Sequence, residues 1–269
     1  MYAEERGVGA FSEDVGGSGE AIFGEAMDRA RAGDIVTAIV LFRQASDVGH
    51  GPATFLLGTF LKERGQLVEA EARYRLALRL GGLPSDEMIA EAELSLGYLR
   101  ARQGDDREAE HFYRSSYARG NLDAAANLGN LLRRIGRDRE AEVVYRQAAA
   151  GEQADAAYNL AELLADRGDL AGAEVLLRNA VAAGVSEAVN NLAMVRMRQG
   201  DLQEAEQLFR QAAAKGDHNA IFNLGVILEL RRDLDEAETW LARAEAAGHQ
   251  EAGERLRRVR LARHSRSEA

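Results

Sequence analysis

The sequence predicts an all-α repeat protein of about seven antiparallel helix pairs closed by a C-terminal capping helix. Three observations carry that expectation. Segments built on Asn-Leu-Gly or Asn-Leu-Ala begin at 124, 156, 188 and 220, a constant step of 32 residues. A second series, Ala109, Ala141, Ala173, Ala205 and Ala237, keeps the same step, with Tyr113, Tyr145, Leu177, Phe209 and Leu241 four residues on. Two prolines and 6% aromatics are too few for a β domain, which draws on turn prolines and bulky strand side chains. A fixed period of this length marks stacked helical units, none of which can bury its apolar stripe alone.

Each element then follows in order. Ala38/Phe42 and Ala70/Tyr74 extend the second series backward, and the step of 39 from Ala70 to Ala109 implies seven inserted residues. The units fall near 21–52, 53–84, 92–123, 124–155, 156–187, 188–219 and 220–251, with a cap at 252–264. Together they make one solenoid over 20–264, followed by a tail at 265–269. In the first helix of a unit, apolar residues recur at helical spacing, as in Leu128, Leu131, Leu132 and Ile135. A glycine in the left-handed C-terminal position then ends it at Gly33, Gly65, Gly104, Gly136, Gly168 and Gly200. The second helix often opens on an Asp, and Asp105/Glu108, Asp201/Glu204 and Asp233/Glu236 have capping-box spacing. It runs about 14 residues to Gly49, Gly81, Gly120, Gly184, Gly216 or Gly248. Gly or Ala at 58, 97, 129, 161, 193 and 225 lets the paired helices approach closely.

These residues resemble the tetratricopeptide repeat in the Asn-Leu-Gly segment, the helix-ending Gly, and the Ala followed four residues on by an aromatic. The proline near that repeat's end is missing, and the ending Ala-Ala-Ala-Lys-Gly-Asp-His-Asn-Ala (212–220) resembles the Sel1-like relatives instead. The resemblance covers about 21–264. It implies a right-handed α-solenoid whose groove is lined by the first helix of each pair, and a role in binding other proteins.

At the N-terminus, residues 1–19 hold five glycines without periodicity and read as disordered. Glu25, Asp28 and Arg29 give the first unit the polar outer face of an end cap. The insertion near 82–88 places Pro84 after one helix and Ser85, Asp86 and Glu87 at the start of a lengthened helix 86–102. It reads either as a protruding edge for a partner or as a tolerated loop. In the C-terminal segment, Ala252, Leu256 and Val259 form a narrow apolar stripe opposite Arg255, Arg257, Arg258, Arg260 and Arg263.

Composition excludes several functions. With no cysteine there is no thiolate nucleophile, disulfide or Cys-ligated metal. No apolar run reaches the roughly 18 residues of a membrane span, and no secretory leader pattern opens the chain; the expected compartment is the cytoplasm. The five histidines lack metal-ligand spacing, so neither metal nor cofactor is expected. Glycines 16, 17 and 19 follow no strand and precede no Lys-Ser/Thr, so they form no phosphate loop. Paired acids such as Glu108/Glu110 recur with the period and belong to the scaffold surface. No nucleophile has a base and an orienting acid, so an enzyme is not expected. Of the 34 cations only Lys62 and Lys215 are lysines, a bias read first as a GC-rich coding genome.

The departures from scaffold need lie on the first helices. Asn127, Asn159, Asn191 and Asn223 share one register although Asn is a mediocre helix residue. They form either a ladder for the backbone of an extended peptide, as the family resemblance implies, or hydrogen bonds of the repeat itself. Leu56 and Ser95 break the row, confining any ladder to 124–223. Around it stand Tyr158, Asn190 and Phe222, then Asn130, Glu162, Met194 and Val226, then Arg102, Arg133, Arg134 and Arg198. Such a groove suits an extended segment with acidic groups or a terminal carboxylate, although the family's carboxylate clamp is matched only loosely. The expected function is a non-catalytic scaffold or adaptor with a protein or peptide partner. The alternative is binding of nucleic acid or an anionic surface through the C-terminal arginines, with Arg255 and Arg258 as the anion site; the net charge of −10 disfavours it. Monomer and end-to-end dimer are both compatible with the pattern.

Overall fold

A computed structural model describes residues 11–267 apart from residue 152. Among them are fifteen α-helices and no strand, as the periodicity predicts. The helices read as one solenoid over 20–264 gather into two compact units, residues 1–135 and 136–269.

The first unit holds α1 (Phe11–Arg31), α2 (Ile35–Asp47), α3 (Gly51–Glu63), α4 (Leu67–Leu80), α5 (Asp86–Arg102), α6 (Asp106–Ala118) and α7 (Leu122–Arg134). Helices α1 and α2, α3 and α4, and α5 and α6 pack as pairs, and each pair packs on the next. The second unit holds α8 (Asp138–Ala150), α9 (Ala154–Asp166), α10 (Leu170–Ala182), α11 (Glu187–Gln199), α12 (Leu202–Ala214), α13 (His218–Leu230), α14 (Leu234–Ala246) and α15 (Ala252–Ser267). There α9 and α10, α11 and α12, and α13 and α14 pair, and α15 lies on α14. Its Ala252, Leu256 and Val259 are buried, so the predicted stripe does close the last pair.

One correction concerns the N-terminus. Residues 11–19, read as disordered, belong to α1; residues 1–10 lie outside the described ones. The glycines permit this because Gly19 is buried against the side chains of Val48 and His50. Phe23, one turn further, anchors the helix on Phe42, with ring centroids 6.0 Å apart.

The small residues act as the sequence implies. A Cβ on Gly58 would stand 3.1 Å from the Tyr74 ring, and one on Gly97 would stand 2.5 Å from Tyr113. In the second unit a Cβ on Gly225 would stand 2.7 Å from Leu241. The large side chain sixteen residues on thus fills the space that the missing Cβ leaves. Helix-ending glycines take positive φ as predicted, but at the seventh such position Arg232 stands in for glycine with φ 64°.

Half of each capping box forms. The backbone N–H groups of Glu108, Glu204 and Glu236 bond to the carboxylates of Asp105, Asp201 and Asp233. The glutamate side chains do not turn back to the cap; they reach arginines of neighbouring helices. Glu108 meets Arg75 at 2.6 Å and Arg100 at 2.8 Å. Glu204 meets Arg178 and Arg196, and Glu236 meets Arg210. The acids after the alanine series serve the same ladder, with Glu71 on Arg75 and Arg100, and Glu206 on Arg210 and Arg231. A forked guanidinium spans two carboxylates where an ammonium is a point charge. The arginine bias therefore has a structural use beyond base composition.

Candidate functional site

Helices α3, α5 and α7 of the first unit border a cleft of about 600 Å³. Glu91, Leu94, Ser95, Tyr98 and Arg102 of α5 line it, at spacings of three and four that put them on one helical face. Lys62 and Glu63 from the last turn of α3 and Asn127 from α7 complete it. The Lys62 ammonium donates to Ser95 Oγ at 3.0 Å and lies 5.9 Å from the centre of the Tyr74 ring. The guanidinium of Arg102 lies over the Tyr98 ring at 5.8 Å and donates to its hydroxyl at 3.3 Å. Tyr98 is 41% exposed, an aromatic surface held open beside two cations. Neither Lys62 nor Arg102 pairs with a carboxylate among the described residues, whereas the arginines of the ladder do. The cleft thus offers cationic donors, an aromatic face and an amide, with Glu63 and Glu91 at its border.

Of the predicted groove residues, Arg102 lines this cleft, and so does Asn127. Its Nδ2 donates to the Asp123 carbonyl of its own helix at 2.9 Å. Arg134 grips Asp106 at 2.6 Å, Arg133 is half-buried and Asn130 is exposed. The sequence reading placed nothing at Lys62 or Tyr98. Two signals could have found them. Lys62 is one of only two lysines, and Tyr98 holds the register of Asn130, Glu162, Met194 and Val226.

In the second unit the predicted residues form a chain of internal hydrogen bonds. Tyr158 donates its hydroxyl to Glu162 at 3.0 Å, and Asn191 Nδ2 lies 2.9 Å from both Tyr158 Oη and Glu162 Oε1. Asn190 donates to Asn191 at 3.3 Å, and Asn223 donates to Asn190 at 3.1 Å. Burial first, and the neighbouring Glu162 second, push the Tyr158 hydroxyl up to about 12. Phe222 is buried and stacks on His249 with centroids 3.9 Å apart, so its ring is covered. Met194 packs on the core of this unit, Asn159 is half-buried and Arg198 is exposed.

The predicted anion site at Arg255 and Arg258 is filled from within. Both bond to Glu229, at 2.8 and 2.9 Å. Arg260 and Arg263 likewise hold Glu238, at 2.9 and 2.6 Å. The Arg260 hydrogen bond is the largest cause that holds the Glu238 carboxyl below its ordinary range. Among the described residues no three His, Asp or Glu side chains converge as a metal site, and no helix is long and apolar enough to cross a membrane.

Residues 124–157, 153–184 and 190–252 each match a sequence model described as tetratricopeptide repeat. No curated protein sequence matches the chain. Solved structures share the fold at low identity. PilF of Pseudomonas aeruginosa aligns with a TM-score of 0.63 at 18% identity, over 76% of this chain and 97% of its own. The c5321 antigen of uropathogenic Escherichia coli, which displays an SLR fold, aligns with 0.62 at 24% identity, over 89% and 56%. The APC/C hetero-tetramer Cut9–Hcn1 aligns with 0.65 at 15% identity, over 90% and 46%.

Proposed function

We propose, from the premise that this chain is a helical-repeat protein of the tetratricopeptide and Sel1-like family, that it is a non-catalytic adaptor in the cytoplasm. It holds an extended segment of a partner protein on the faces of its first helices. The observation that carries this reading is the α3–α5–α7 cleft, where Lys62 and Arg102 lack carboxylate partners beside the exposed Tyr98. An acidic group on the segment would supply the missing counter-charge, and the Tyr98 ring would take an apolar neighbour. Asn127 belongs to this contact. In the second unit, Asn159 and Arg198 are the groove residues left to touch a ligand. Tyr158, Asn190, Asn191 and Asn223 act as scaffold in this reading, and so do Arg255, Arg258, Arg260 and Arg263, whose charges are met by Glu229 and Glu238.

The test is affinity capture from source-cell lysate with the full chain, compared with K62A/R102A and with N127A/N159A/N191A/N223A. Circular dichroism would show that each variant stays folded. Loss of a partner with the first variant supports the cleft. A partner that survives the first variant and is lost with the second moves function to the asparagine row, and partners unaffected by either overturn the groove reading.

A further inference from the structure

The loops joining α2 to α3 and α4 to α5 carry a pocket that the groove does not use. The turns that end α1, α2, α3, α5 and α6 close with two backbone bonds, as where Gly49 N–H returns to Ser46 and His50 N–H to Ala45, both at 3.0 Å. Helix α4 ends otherwise. Gly81 N–H bonds to the Ala77 carbonyl at 3.2 Å, and neither Gly82 nor Leu83 returns a bond to the helix among the described residues. The inserted residues explain this. Gly82 repeats a positive φ of 67°, which turns the chain away before Pro84, a residue without an N–H. The carbonyls of Leu78, Arg79 and Leu80 therefore accept no backbone bond, at the negative end of the helix dipole.

The space left open is a pocket of about 480 Å³. Phe23, Val48, Leu80 and Met88 line it with apolar surface, and Glu20 adds a carboxylate. Val48 and Leu80 remain 38% and 41% exposed. His50 also lines it. Its Nδ1 accepts the Ala53 N–H at 3.1 Å, so the ring proton sits on Nε2, 2.9 Å from Glu20 Oε2. The ring thus turns its N–H donor to Glu20, whose side chain is 75% exposed. The opposing dipole, at the start of α3, is muted. His50 takes the Ala53 N–H, Thr54 N–H bonds to the His50 carbonyl, and Pro52 has none to offer.

We infer that this pocket receives a cationic side chain with an aliphatic stem, a lysine or arginine of a partner protein. The stem lies on Val48, Leu80 and Met88, as long basic side chains cover apolar surface while their heads stay polar. The head meets Glu20 and the open end of α4. An acidic side chain would face like charge at both. The insertion is then the device that makes this site, because the bonds that close the equivalent turns are the ones it removes.

The test uses the full chain labelled with ¹⁵N and terminally blocked hexapeptides that differ only in a central Lys, norleucine or Glu. The Lys peptide is expected to shift the amides of Gly49, His50, Gly82 and Met88 saturably, with a Kd at least ~5-fold below that of the norleucine peptide, and the Glu peptide to leave them unmoved. E20Q, whose amide oxygen still accepts the His50 proton, is expected to bring the Lys peptide to the norleucine level without altering the rest of the spectrum. Equal affinity for Lys and norleucine, or the same Lys affinity in E20Q, would overturn the proposal. So would shifts confined to Tyr98, Arg102 and Asn127, which would assign the peptide to the cleft, and so would the absence of a saturable shift at the pocket amides.

Discussion

Asn223 donates its side-chain amide to Asn190, 3.1 Å away and one repeat earlier in the chain. The bond joins consecutive first helices, and Asn190 is only 8% exposed, so the pair serves the stack. Replacing Asn190 with Ala strands the Asn223 amide and is expected to cost about 1–2 kcal/mol. N190A/N223A should cost less than the sum of the single changes, because partners in one bond are not additive. Urea unfolding of the four members of the cycle measures this, and strict additivity would contradict it.

Arg232 takes a left-handed conformation that all the other described helix-ending turns of this kind give to glycine. That conformation costs an L side chain roughly 1–2 kcal/mol. R232G is expected to raise stability by about 1 kcal/mol, seen as a higher urea midpoint with an unchanged slope.

Gly97 and Gly24 should respond in opposite directions to the same substitution. A Cβ at Gly97 meets the Tyr113 ring, whereas at Gly24 it meets nothing within 4 Å. G97A is expected to destabilise by about 1–3 kcal/mol through overpacking. G24A, in an exposed helix interior, should stabilise by about 0.5–1 kcal/mol. Thermal melts of the two variants separate the effects.

Acid should weaken the arginine–glutamate ladder. The Arg210 hydrogen bond is the largest cause that lowers the Glu236 carboxyl to about 2 from an ordinary value near 4.5. Below its ordinary value the unfolded chain takes up the proton first. The contribution is therefore present above about pH 4.5 and lost as pH falls toward 2. Since Glu236 is 37% exposed, solvent screening keeps the effect small. E236Q should flatten the fall in melting temperature over that window, and an unchanged fall would count against the pair.

At high pH two tyrosines should stand apart. Burial, the largest cause for both, pushes the hydroxyls of Tyr113 and Tyr158 up to about 12. The unfolded chain ionises first, near pH 10, so their contribution to stability is complete below pH 10 and lost as pH rises to about 12. Absorbance titration of phenolate should show a late component that Y113F and Y158F each reduce.

Much of this architecture is legible in the sequence because it is local. Helix-ending glycines, Asp caps and the alanine series answer to neighbours within one turn or one pair, so a 32-residue period exposes them directly. The candidate cleft was far less legible. Asn127, Asn191 and Asn223 share a register and an amide, yet Asn127 bonds back to its own helix while the other two bridge repeats. Register tells which face a residue occupies, and the identity of its partner depends on what the next repeat places opposite.

By itself the sequence determined the all-α class, the spacing of the helices, the small residue under each large one and the buried stripe of α15. Only the tertiary structure decided which charges are spent. Arg75 and Glu108 are 33 residues apart, as Arg258 and Glu229 are 29 apart. Each pair forms because stacking brings successive helices into side-chain reach. The same stacking leaves Lys62, Arg102 and Glu20 beside open cavities. An ion pair between helices is a matter of a few ångströms, a distance that packing sets and that composition and period do not record.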